Sequence, residues 1–138
     1  MMKRAVLGLL MYTLILMLIS GCSEQAVDGD ILKGLEASLE TQGISMQQEG
    51  RQSSDALEKV YPYKFTIQAD PKSEDYILVY LFDGNNQVEQ AIKNQHYTIT
   101  SLTKFANITN ANVLVVYFAP SGDLDKYQKK IEDAVNQL

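Results

Sequence analysis

"YILVYLF", residues 76–82, is a run of seven apolar, β-branched or aromatic positions with no charge and no turn former. A strand with one wet face would alternate; an unbroken run of this length belongs in the middle of a sheet. "VLVVYFA", residues 113–119, is a second run of the same kind. Between the two, Asp83 and Gly84 form a turn, and Asn86 with Glu89 three places on makes an N-cap arrangement before Val88, Ala91 and Ile92 on one helical face. "TITSLTKFANI" (98–108) then reads as a strand, joined through "TNAN" to 113–119 as a hairpin.

Upstream, "YKFTIQ" (63–68) alternates Tyr63, Phe65 and Ile67 with Lys64, Thr66 and Gln68, the pattern of a strand with one face on the core. "ISMQQEG" offers Ile44 and Met46 as a weak strand, and the polar "RQSSDALEKVYP" after it reads as a long loop with one helical turn started at Ser53 or Ser54. "DGDILKGLEASLETQG" places Ile31, Leu32, Leu35 and Leu39 on a stripe, capped by Asp28 or Asp30 and stopped by Gly43. The end, "SGDLDKYQKKIEDAVNQL", sets Leu124, Tyr127, Ile131, Ala134, Val135 and Leu138 along one helical face. The sequence therefore predicts an α+β domain: an antiparallel or mixed sheet of four to five strands, three helices mainly on one side, and a ferredoxin-like topology as first choice.

The chain opens "MMKRAVLGLLMYTLILMLISGC". Lys3 and Arg4, an uncharged stretch from Ala5 to Ile19, and the small pair Ser20 and Gly21 follow the layout of a secretory signal peptide. An uncleaved anchor helix competes with that reading, because the run approaches the roughly 20 residues a bilayer span needs. The order Ile19, Ser20, Gly21, Cys22 resembles the lipobox of bacterial lipoproteins. The resemblance implies a diacylglycerol on the Cys22 thiol, cleavage between Gly21 and Cys22, and an amine at the new N-terminus open to acylation. Residues 1–21 are then a removed leader, 22–30 a short tether, and 31–138 a single domain. The pattern is also similar to that of small Gram-positive lipoproteins, which implies the outer face of the cell membrane.

Removing Lys3 and Arg4 leaves 10 basic residues against 17 acidic ones, a charge of −7. An acidic domain is repelled by anionic lipid, so adhesion falls to the lipid anchor, whose two chains suffice. Scattered Lys and Arg also argue against nucleic acid as a partner. Cys22 is the single cysteine, so its lipidation leaves none for a disulfide or a metal.

Candidate chemistry is sparse. His96, the single histidine, follows the second helix and has no neighbouring ligand for a zinc site, so no metal or other cofactor is expected. Carboxylates come in near pairs, Asp28 with Asp30, Glu74 with Asp75, Asp123 with Asp125 and Glu132 with Asp133, and caps, turns and solvated faces account for them. "DGNN" (83–86) lacks the later ligands of a calcium loop, and "NIT" (107–109) is a chance sequon. Tyr61, Tyr63, Tyr76, Tyr80 and Tyr97 could line a groove, although strands favour tyrosine in any case. No catalytic residue is assigned. The expectation is a non-catalytic binding or regulatory module taking an envelope protein or small ligand; a carboxylate-based envelope hydrolase and a passive envelope component are the alternatives.

Overall fold

The computed structural model describes residues 23–138, so the lipobox, Ile19 to Cys22, lies outside the described residues. The elements are α1 (Ser23–Thr41), β1 (Met46–Arg51), β2 (Tyr63–Ile67), β3 (Tyr76–Leu81), α2 (Asn85–Lys93), β4 (Lys104–Asn110), β5 (Val113–Ala119) and α3 (Gln128–Val135). Among the described residues no helix is long and apolar enough to cross a membrane. Gly34–Leu138 forms one compact unit, and the whole sheet belongs to it.

The five strands lie in the order β1-β2-β3-β5-β4, each pair antiparallel. The two apolar runs thus pair with each other in the centre, Leu78 opposite Val116 and Tyr80 opposite Leu114. Every residue of β5 is buried, as the unbroken pattern requires. The expected hairpin joins β4 to β5, although β4 starts only at Lys104 and residues 98–103 form a loop.

Side chains alternate across the sheet, so each central strand feeds two cores. On one face Leu78, Tyr80, Leu114, Val116 and Phe118 pack with Val88 and Ala91 of α2 and with Leu57 from the β1–β2 loop. On the other, Tyr117 meets Tyr127 edge-on, with ring centroids 6.4 Å apart, and Asn110 Nδ2 donates to the Val135 carbonyl of α3. α2 and α3 therefore lie on opposite faces of the sheet. Burying both sides of a continuous apolar strand demands a layer on each.

The connectivity departs from the ferredoxin-like expectation. β3 and β4 run parallel, because each is antiparallel to the β5 between them, and α2 bridges them in a split β-α-β unit. On the far side of β3, however, stands β2, which precedes β3 in the chain where a ferredoxin-like fold would place a strand after its second helix. β1 adds an outer edge, kinked by a bulge between Gln48 and Gly50, where Gly50 takes φ +82°. A bulge at an edge discourages pairing with a further strand.

Local signals were met unevenly. α1 stops where expected: the Gly43 N–H donates to the Glu40 carbonyl and the Ile44 N–H to the Leu39 carbonyl, with Gly43 at φ +78°. This is the Schellman closure, and Leu39 and Ile44, which accompany it, are both buried. At its other end α1 begins at Ser23, so residues 23–30 are helical where a flexible tether was expected, and Asp28 and Asp30 lie inside the helix instead of capping it. No proline or β-branched cluster interrupts that stretch. Gly84, not Asn86, is the N-cap of α2, without a side-chain cap. α3 is shorter than its stripe and Leu138 is exposed.

Candidate functional site

β2 ends and β3 begins at the same edge of the sheet at which β5 ends, so the loops 68–75 and 120–127 stand side by side. Between them lies a cavity of about 400 Å³. Asp70, Lys72, Ser73, Glu74 and Asp75 form one wall; Pro120, Ser121 and Lys126 form the other.

Each wall is set by local turn chemistry. In "ADPKSED" the Asp70 carboxylate accepts from the Lys72 N–H at 2.9 Å and the Asp70 carbonyl from the Ser73 N–H at 2.9 Å, an Asx turn with Pro71 at its corner. The loop is closed at its base by the Ile67 N–H donating to the Asp75 carbonyl. Opposite, the Gly122 N–H donates to the Ala119 carbonyl and Ser121 Oγ accepts from the Asp123 N–H. Lys126 Nζ reaches across to Asp70 Oδ2 at 3.1 Å and ties the two loops together. The Lys72 N–H first, and the Lys126 ammonium second, hold the Asp70 carboxyl below its ordinary value, and the Lys126 ammonium is raised in return.

Asp75 is the unusual member. It is 3% exposed, yet it lines the cavity. Tyr117 Oη donates to its Oδ2 at 2.6 Å, and no cation pairs with it among the described residues. Burial first, and the neighbouring carboxylate second, push the Tyr117 phenol far above its ordinary range, so the proton stays on Tyr117 and the hydrogen bond persists. Among the described residues no buried side-chain oxygen or nitrogen lacks a partner, so the acceptor capacity that Tyr117 leaves on Asp75 is open to the cavity it lines.

Of the carboxylate pairs, only Glu74 with Asp75 joins this cleft. Asp28 and Asp30 lie on α1, Asp123 and Asp125 in the loop after β5, and Asp133 pairs with Lys129 on α3. Asp70, Tyr117 and Lys126 escaped sequence reasoning; the Asp-Pro turn signal was present at Asp70, but it says nothing of a lysine 56 positions away. His96 is exposed beyond the Asn94 cap of α2, and no cluster of metal-ligating side chains occurs among the described residues. Asn107 of the sequon lies within β4, and its amide exchanges two hydrogen bonds of 2.7 Å with Gln95.

The tyrosines do not form one groove. Tyr76, Tyr80 and Tyr97 join Phe82, Phe105 and Phe118 in a packed aromatic cluster: Tyr76 stacks on Phe118 at 4.8 Å and Tyr97 meets Phe118 edge-on at 4.9 Å. Tyr97 Oη donates to Tyr80 Oη, which donates to the Asp55 carbonyl at 2.6 Å. Tyr61 and Tyr63 stand apart, beside Arg51. Set against known proteins, the chain matches no family model, no curated protein and no solved structure.

Proposed function

We propose that the protein is a non-catalytic binding module of the bacterial cell envelope, held by lipid on Cys22 at the outer face of the cell membrane, and that its cleft takes a small polar ligand with an ammonium or other hydrogen-bond-donating head. The observation that carries the ligand reading is Asp75, a carboxylate 3% exposed on a cavity wall with Tyr117 as its one side-chain hydrogen-bond donor among the described residues. A ligand cation there would supply the partner that burial otherwise denies it. The rest of the lining holds both charges and two hydroxyls, which suits a small polar molecule more than an apolar one.

A carboxylate-based hydrolase is the second reading, favoured by Asp70, Glu74 and Asp75 sharing one cleft. Acid catalysis needs a carboxyl that keeps its proton near neutral pH. Asp70 is driven the other way by the Lys72 N–H and the Lys126 ammonium, so it does not suit the acid's role.

The ligand test is a thermal-shift and calorimetric screen of the full chain in detergent against primary amines, amino acids and amino sugars, repeated with Asp75→Asn. Binding that falls about tenfold or more in the variant is the expected result, since a charge-assisted contact is lost. Binding that ignores the substitution would remove the cleft from the proposal. For the anchor, mass spectrometry and detergent partitioning of wild type and Cys22→Ser are compared in a bacterial host. A lipid mass on wild type alone is expected; a chain that keeps Met1 to Gly21 would refute the lipobox reading.

A further inference from the structure

A different part of the molecule carries a second site. β1 leaves the sheet at Arg51 and β2 enters it at Tyr63, and the loop between them is closed at its neck by the Gln52 N–H donating to the Pro62 carbonyl at 2.8 Å. Arg51, Gln52, Ser53 and Tyr61 line a groove of about 330 Å³ at that neck, within the roughly 300–1,000 Å³ of small-ligand sites. The neck is rigidly supported from below. Leu57 is buried in the core, Tyr80 Oη holds the Asp55 carbonyl, and Asn94 Nδ2 donates to Glu58 Oε1 at 2.7 Å. Asp55, Glu58 and Lys59 all sit at positive φ, 59°, 49° and 67°, conformations that persist only where surrounding contacts hold them.

Two side chains at the groove point to its ligand. Tyr61 is 42% exposed, leaving much of an aromatic ring without protein cover. Arg51 is the one arginine among the described residues, lies 5.8 Å from the Tyr63 ring centroid, and has no acidic partner among those residues. Arg51 is thus a guanidinium free of ion pairing among the described residues, in a domain where acids outnumber bases. A planar fork of donors suits a carboxylate held through two parallel hydrogen bonds, and a phenol face suits the apolar face of a sugar ring. Ser53 adds a hydroxyl that can donate to or accept from a sugar hydroxyl. We propose that this groove binds an acidic saccharide, the carboxylate on Arg51 and a ring on Tyr61. A free inorganic anion would leave Tyr61 unused, and a neutral sugar would leave Arg51 unused.

The test is saturation-transfer NMR and calorimetry on the full chain in detergent, with trigalacturonate as probe, maltotriose as the neutral control and acetate as the bare carboxylate. The expected result is binding of trigalacturonate alone, weakened about tenfold by Tyr61→Ser and by Arg51→Lys, which keeps the charge but loses the fork. Both residues are exposed, and an unchanged thermal midpoint verifies folding. The binding should also weaken with added salt, because the guanidinium is exposed. The proposal is overturned by absence of trigalacturonate binding, by equal binding of maltotriose or acetate, by indifference to both substitutions, or by variants that lose adhesion to anionic phosphatidylglycerol vesicles while saccharide binding is unchanged. Asp75→Asn should leave this binding intact, which separates it from the cleft.

Discussion

At Gly122 two constraints coincide. The backbone takes φ +84°, and a Cβ built there would stand 2.9 Å from the Leu102 carbonyl oxygen, a backbone atom with little room to yield. Gly122→Ala is expected to destabilise the domain by about 1–3 kcal/mol, read as a lowered urea midpoint with an unchanged slope. The loop it shapes carries Ser121 and Lys126, so the same variant should loosen the cleft. Gly34 is the opposite case. It lies inside α1, and a Cβ would meet only Leu138 Cδ2 at 3.7 Å, an ordinary contact with an exposed, flexible side chain. Gly34→Ala should therefore stabilise by about 0.5–1 kcal/mol in the same measurement. The helical cost of Gly34 is legible in "KGL", a glycine within an apolar stripe, whereas what stands near each glycine is decided only in three dimensions.

Among the elements, the tight turn from Leu57 to Val60 departs most from expectation. A helical turn was predicted from Ser53 or Ser54; instead Leu57 and Val60 exchange two backbone hydrogen bonds around Glu58 and Lys59, both at positive φ. Two-residue turns of this kind favour Asn and Gly, so Glu and Lys are poor local choices that burial of Leu57 and the Glu58–Asn94 hydrogen bond enforce. Lys59→Gly, which leaves Glu58 in place, is expected to raise stability by about 0.5–1 kcal/mol, the left-handed penalty of about 1–2 kcal/mol less the entropic cost of glycine, measured by thermal or urea unfolding. No gain would mean that the turn is unstrained. The central strands read correctly for the converse reason. An element buried on both faces carries its environment in its own composition, whereas a turn imposed by distant contacts does not.

For the whole molecule, pH stability follows from where protons are held. The Tyr80 and Tyr117 phenols are raised above their ordinary 10.0, mainly by burial. Unfolded phenols ionise near pH 10 while the folded ones keep their protons, so the folded state binds more protons there and stability falls as pH rises above that value. From neutral pH, thermal midpoints should be flat up to about pH 10 and drop beyond it, less steeply in Tyr80→Phe than in wild type. On the acid side the signs reverse. Asp70 is held below 3.8, first by the Lys72 N–H, and Glu49 below 4.5, first by Thr66 Oγ1 and then by Lys64. Their contribution is present above those values and is lost as pH falls through the lower folded ones, so Asp70→Asn should narrow the difference between urea midpoints at neutral and acid pH. What the sequence determined by itself was the class, the two central strands and the stop of α1 at Gly43, because each is written in neighbouring residues: an apolar run, a stripe, a glycine after its end. Only the tertiary structure decided that β2 flanks β3 from before it in the chain, that helices cover both faces, and that Asp70, Asp75 and Lys126 meet in one cleft. Those outcomes depend on pairings across dozens of residues, where the free energy lies in burial and hydrogen bonding between segments that share no local pattern.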